Sequence, residues 1–183
     1  MKKRILLLTG SPGVGKTSVL LRIVESLKTK GCRVGGMLSR EVQGMGGRVG
    51  FEILDLGTGR KGWLAHVRQE QGPRVGRYHV NVADLDGIGV EAIADAVVNS
   101  DVVIIDEIGP MELHSQKFKE IVRKAALSAK LVVGVVHWKA PDSLITEVQL
   151  RDDAEVHLVT LENRAKLDEL VSKEALNFLS EPC

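Results

Sequence analysis

After a basic opening, four consecutive apolar residues run from Ile5 to Leu8. A continuous run of that length predicts a strand buried on both faces, as in a parallel sheet. It leads into Gly10-Ser11-Pro12-Gly13-Val14-Gly15-Lys16-Thr17, after which Leu20, Ile23, Val24 and Leu27 recur at helical spacing. Gly31 then stands where a helix C-cap belongs. The order is strand, glycine loop, helix.

From Gly35 to Gly76 glycine is dense and no helical period survives. Short apolar or alternating stretches, Val34 to Val42, Arg48 to Leu56 and Gly62 to Val67, predict an antiparallel meander turning near Gly44–Gly47 and Gly57–Gly59. A flexible linker is the rival reading. Phe51, Ile53, Leu54, Leu56, Trp63 and Leu64 weigh against it, because linkers rarely carry such side chains.

Beyond Tyr78 strands and helices alternate. Glu91 to Val98 predicts a helix, Val102 to Ile105 a second buried strand ending at Asp106-Glu107, and Phe118, Ile121, Val122 and Ala125 another helix. Leu131 to Val136 predicts a third buried strand, Leu144 to Leu150 a short helix after Pro141 and Asp142, and Val156 to Val159 a short strand. Arg164 to Leu179 is the closing helix, with Leu167, Leu170, Val171 and Leu176 on its apolar stripe. The alternation implies a three-layer α/β core with a mostly parallel sheet and right-handed crossovers, interrupted by a glycine-rich antiparallel hairpin insertion over about 34–78.

Composition narrows the picture. The 183 residues suit a single domain, 1–183, and 44% apolar against 27% charged residues is an ordinary globular balance. Twenty-five Lys and Arg against 24 Asp and Glu leave a net charge of +1, which argues against a dedicated nucleic-acid binder. Cys32 and Cys183 are too few and too far apart for a disulfide framework or a zinc site, so a reduced cytoplasmic setting is expected. The first apolar run is too short for a signal peptide or a membrane span.

Gly10 to Thr17 matches G-x-x-x-x-G-K-[ST] at every defined position. Glycines let backbone N–H groups turn toward phosphate oxygens, and the helix behind presents its positive N-terminus to the same anion. Lys16 is expected to reach the β- and γ-phosphates and to act in catalysis, and the Thr17 hydroxyl to bind Mg²⁺. An incidental glycine turn is the bland alternative, and the flanking strand and helix oppose it.

Asp106 follows four β-branched residues and is expected at the ligand edge of the sheet as the second Mg²⁺ ligand. The competing reading is an exposed acidic strand end. Glu107 comes next, and a carboxylate there can polarise a water opposite the γ-phosphate, an effect worth roughly 10²–10⁴-fold in rate. Hydrolytic phosphate-loop enzymes with a strand added between the loop strand and the Asp strand use a glutamate in this way. Kinases of small molecules need none.

Asp106-Glu107-Ile108-Gly109-Pro110-Met111-Glu112-Leu113, together with the N-terminal loop, resembles the THEP1-type family of P-loop nucleoside-triphosphatases. Ser39 to Val42 and Gly47 to Phe51 are similar to that family's hairpin segment, Val75 to Tyr78 to its following motif, and Thr160 to Arg164 to its C-terminal motif. The resemblance implies a RecA-like core hydrolysing nucleoside triphosphates to diphosphate and phosphate with broad base tolerance. It also extends the nucleotide-binding segment through Ile108 and Gly109. Pro110 stands where many relatives carry Lys, so a cation from that position is absent.

Softer candidates surround these. Arg40, Arg48, Arg60, Lys61, Arg68, Arg74 and Arg77 lie in the glycine-rich half, and one of them is a candidate to stabilise transition-state charge, Arg77 before the others. Lys139 and Arg164 are candidates to flank the base or the γ-phosphate. Trp138 is a candidate to stack on a base, with loop packing as the alternative. The leading expectation is a monomeric, cytoplasmic, Mg²⁺-dependent hydrolase of ATP, GTP, CTP and UTP. The alternatives are a kinase of a small molecule or polynucleotide, and a nucleotide-gated switch subunit. No membrane or nucleic-acid partner is expected.

Overall fold

The computed structural model describes residues 2–180; Cys183 lies outside them. The apolar run becomes strand β1 (Ile5–Thr9), and the helical stripe becomes α1 (Lys16–Thr29). The meander follows as β2 (Val34–Gly44), β3 (Gly47–Asp55), β4 (Lys61–His66), β5 (Arg74–Val75) and β6 (Tyr78–Val80). A short α2 (Val82–Asp84) passes through a π-helical run, Leu85–Val90, into α3 (Glu91–Asn99). The remaining elements are β7 (Val102–Ile108), α4 (Gln116–Leu127), β8 (Leu131–Val136), α5 (Ser143–Gln149), β9 (Ala154–Leu158) and α6 (Leu167–Leu179).

The nine strands of the described residues join one sheet in the order β5-β6-β4-β3-β2-β7-β8-β1-β9. From β2 through β7, β8 and β1 to β9 the ladders are parallel. From β2 through β3, β4 and β6 to β5 they are antiparallel. The expected hairpin insertion therefore continues the core sheet edge to edge. Gly36 makes this junction possible. Its φ is +116° and a Cβ there would lie 2.1 Å from the Ile104 carbonyl oxygen, so no side chain fits where β2 meets β7.

Each face of the sheet carries its own core. Leu20, Ile23 and Leu27 of α1 and Val171 and Ala175 of α6 pack with Leu6, Leu8, Ile104 and Val133 on one side. Ile93, Phe118, Ile121 and Leu144 pack with Ile5, Ile105 and Val132 on the other. Residues of β1 face both cores, which is why its sequence is apolar without alternation.

Several expectations shift. The closing helix starts at Leu167 rather than Arg164. The preceding residues form a turn in which the Asn163 side chain accepts from the Thr160 N–H at 2.9 Å and donates to the Leu158 carbonyl at 2.8 Å. Leu170 points outward at 49% exposed, and Ala175 takes the inward position. Strands β5 and β6 have two and three residues, too few to show a period.

Candidate active site

β1 ends where the phosphate loop begins, and the loop turns the chain into α1. Gly15 caps that helix at φ 109°, with no side chain bonded to the first-turn amides and no acidic residue in the first turn. Those amides lack intrahelical partners, so the helix start presents donors and positive potential to an anion. The Lys16 ammonium lies across the loop, donating to the carbonyls of Gly10 and Ser11 at 3.0 and 3.1 Å.

β8 lies between β1 and β7, so the added strand expected between the loop strand and the Asp106 strand is present. Asp106 is buried at 1% exposed, accepting from Thr17 Oγ1 at 3.4 Å and from the Ser39 backbone N–H at 3.3 Å. Ser39 Oγ also donates to the Asp106 carbonyl at 3.3 Å. Burial, with the charge of Glu107 adding to it, pushes the Asp106 carboxyl up to about 7 against these stabilising contacts.

Adjacent strand residues normally face opposite sides of a sheet. Here the register with β8 passes from Asp106↔Val135 to Ile108↔Val136 and leaves Glu107 unpaired. Glu107 is a bulge residue at φ 140°, alone among the described non-glycine residues in having a positive φ. Such a backbone stores on the order of 1–3 kcal/mol. The bulge turns both carboxylates into the same cavity, of about 420 Å³. Gly109 supports this arrangement, since a Cβ there would lie 3.0 Å from Glu107 Cγ and 3.3 Å from Glu112 Oε2.

Glu112 follows on a short 3₁₀ turn, buried at 2% exposed. Desolvation and the charges of Glu107 and Asp106 hold its carboxyl well above the usual carboxylate range. The cavity lining carries Glu41, Asp106, Glu107 and Glu112 against the cations Lys16 and Arg48. The hard oxygen donors of Thr17 and Asp106, 3.4 Å apart, suit adjacent positions on an octahedral divalent cation, and such an ion offsets the cost of ionising Asp106.

The meander supplies the opposite wall. Arg48 donates from Nε to the Tyr78 hydroxyl at 2.9 Å and from a terminal nitrogen to Glu41 at 2.5 Å, its guanidinium 4.9 Å from the Phe51 ring centre. Arg77, favoured from sequence, turns away to Tyr78 and to the Arg48 carbonyl and does not line the cavity. Ile108 is a core residue, back in register after the bulge. Trp138 is half exposed with the Lys139 ammonium 4.5 Å from its ring centre, and neither lines the cavity. Arg164 packs behind the phosphate loop, donating to the Val14 carbonyl at 3.1 Å. Pro110 lines the cavity, so no cation enters from its position. Sequence reasoning assigned no role to Ser39, Glu112 or Tyr78. Their contribution depends on β2, the 3₁₀ turn and β6 converging on the end of β7.

Comparison with known proteins gives one consistent result. A family described as NTPase matches residues 5–172. The chain is 43% identical over 181 residues to nucleoside-triphosphatase THEP1 of Thermofilum pendens, covering 98% of this chain and 100% of that one. It is 40% identical to THEP1 of Methanocaldococcus jannaschii, covering 91% and 94%. Among solved structures, THEP1 from the hyperthermophile Aquifex aeolicus superposes with a TM-score of 0.82 at 29% identity, covering 97% of this chain and 99% of that one. A human cancer-related nucleoside triphosphatase superposes with the same TM-score at 32% identity, covering 98% and 100%.

Proposed function

The chain belongs to the THEP1 family of nucleoside-triphosphatases and is a hydrolase acting on nucleoside triphosphates, and from that premise we propose that it is a cytoplasmic, Mg²⁺-dependent enzyme cleaving the γ-phosphate with little regard for the base. The observation that carries the reading is the bulge at Glu107, which brings a proton acceptor beside Asp106 in the cavity that Lys16 also lines.

The residues divide the work by position. The first amides of α1 and Lys16 hold the phosphate chain. Thr17 and Asp106 would hold Mg²⁺, which would supply charge neutralisation on the phosphate oxygens. Ser39 fixes the Asp106 carboxylate through its backbone N–H. Glu107 takes a proton from the attacking water as its oxygen approaches phosphorus. Arg48 faces the cavity from the meander and neutralises negative charge on the departing phosphate. Arg48→Ala is expected to lower kcat by about tenfold or more with KM little changed, since the guanidinium acts on charge that develops in the transition state. An unchanged kcat would remove Arg48 from the reaction.

Base tolerance is supported by what surrounds the cavity. Phe51, Leu64, Val75 and Met111 in the lining carry no side-chain hydrogen-bonding group that would read a particular base. After β8 the chain reads His137-Trp138-Lys139-Ala140-Pro141-Asp142, without the Asn-Lys-x-Asp pattern by which guanine is read. Apolar and stacking contacts discriminate weakly, whereas hydrogen-bond readout gives large ratios. The expected kcat/KM values for ATP, GTP, CTP and UTP fall within about tenfold, a spread of roughly 1.4 kcal/mol. The measurement is phosphate release with equimolar diphosphate, with and without Mg²⁺. A preference above about a hundredfold would reveal a specific base reader, and release only with a second acceptor present would favour a kinase.

A further inference from the structure

On the far edge of the sheet, β9 carries Glu155 and His157 two residues apart, opposite Leu6 and Leu8 of β1. Helix α6 brings Glu174 against them. One ligand atom from each of the three lies within 4.8 Å of the others. The His157 side chain is nine-tenths buried, at 10% exposed, and its Nε2 lies 3.0 Å from Glu174 Oε2. Both atoms are shielded from solvent, yet neither is part of a hydrogen bond.

We propose that Glu155, His157 and Glu174 form a second cation site, for a divalent transition ion such as Zn²⁺, separate from the nucleotide site. Two buried polar atoms in contact normally align as donor and acceptor, because a buried polar group left unsatisfied is costly. Here they converge without aligning, as two ligands do around a shared third atom. A tetrahedral ion with bonds of about 2.0–2.2 Å sets its ligands roughly 3.3–3.5 Å apart. The His157–Glu174 pair, 3.0 Å apart, is close to that spacing, and the Glu155 ligand atom lies within 4.8 Å of both. One imidazole with two carboxylates suits Zn²⁺, whereas Mg²⁺ takes oxygen donors and retains several waters.

The site has a consequence for the loop beside it. His157 lies two residues before the segment 159–166, and α6 begins directly after it. That segment backs the phosphate loop: the Val159 carbonyl lies 2.7 Å from where a Gly10 Cβ would be, and Arg164 holds Val14. A cation joining β9 to α6 therefore braces the support of the phosphate loop from outside.

The test uses the full chain without nucleotide, stripped by chelator and dialysed against Zn²⁺ with Mg²⁺ in excess. The expected result is one equivalent of Zn²⁺ per chain and a higher Tm, both lost in His157→Ala and in Glu155→Gln. The second variant changes a partly exposed side chain by one atom and guards against simple misfolding of the first. Bound Co²⁺ is expected to show a tetrahedral visible spectrum in the parent chain only. Equal Zn²⁺ uptake by parent and His157→Ala would mean that the contact is an ion pair only. Uptake lost in Asp106→Asn but kept in His157→Ala would place the ion at the nucleotide site. Either result overturns the proposal.

Discussion

Glu107→Gln is expected to bind Mg²⁺-nucleotide nearly as well as the parent and to hydrolyse it roughly 10²–10⁴-fold more slowly. The amide keeps the length and the hydrogen-bonding reach of the side chain but cannot accept a proton. The fold is expected to survive, because the bulge is held by the resumed β7–β8 register at Ile108 and by the close fit of Gly109, not by the carboxylate itself. Removing one negative charge beside Asp106 and Glu112 also relieves repulsion at the cavity floor, so triphosphate affinity is not expected to fall. The checks are single-turnover hydrolysis and equilibrium nucleotide binding on the same preparation. Turnover above about a third of the parent rate would mean that another group activates the water.

Lys16→Ala is expected to abolish tight triphosphate binding and turnover together. Its ammonium is one of two cations lining the cavity among the described residues and the one seated on the phosphate loop. Without it the triphosphate enters a lining that holds Glu41, Asp106, Glu107 and Glu112 against Arg48 alone. A charge-assisted bond to a phosphate is stronger than one between neutral groups, so its loss is correspondingly large. Alanine is a good helix former at the start of α1, so thermal unfolding is expected to stay close to the parent. Calorimetric titration with a non-hydrolysable triphosphate separates the outcomes, and unchanged affinity would remove Lys16 from the phosphate site.

The chemistry of the loop was legible in the sequence because its residues are contiguous and each meets a local requirement. The buried strands were legible too, since Ile5–Leu8, Val102–Ile105 and Leu131–Val136 are apolar without alternation. The pairing of Asp106 with Glu107 was suggested by adjacency, yet adjacency in a regular strand places them on opposite faces. What unites them is a bulge that no residue pattern announces, since Glu107 is not the glycine that a positive φ usually selects. The sequence favoured Arg77 over Arg48. Tyr78 separates them in space, accepting from both while only Arg48 reaches the cavity. Glu112 lay within a quoted motif but had no role assigned, because its burial depends on a three-residue turn.

The strand β2 belongs to both halves of the sheet. Met37 is paired with Ile105 of β7 on one side and Asp55 of β3 on the other, and two residues later Ser39 grips Asp106. The base of the meander is thereby joined to the floor of the site, and beyond Met37, where β2 pairs with β3 alone, the Ser39 N–H ties the strand to Asp106. Enzymes that pass a phosphoryl group to a chosen acceptor close a lid to keep water out. Here floor and wall belong to one sheet, so the distance between the Arg48 wall and the Asp106 floor is set by strand order rather than by the closing of a separate domain.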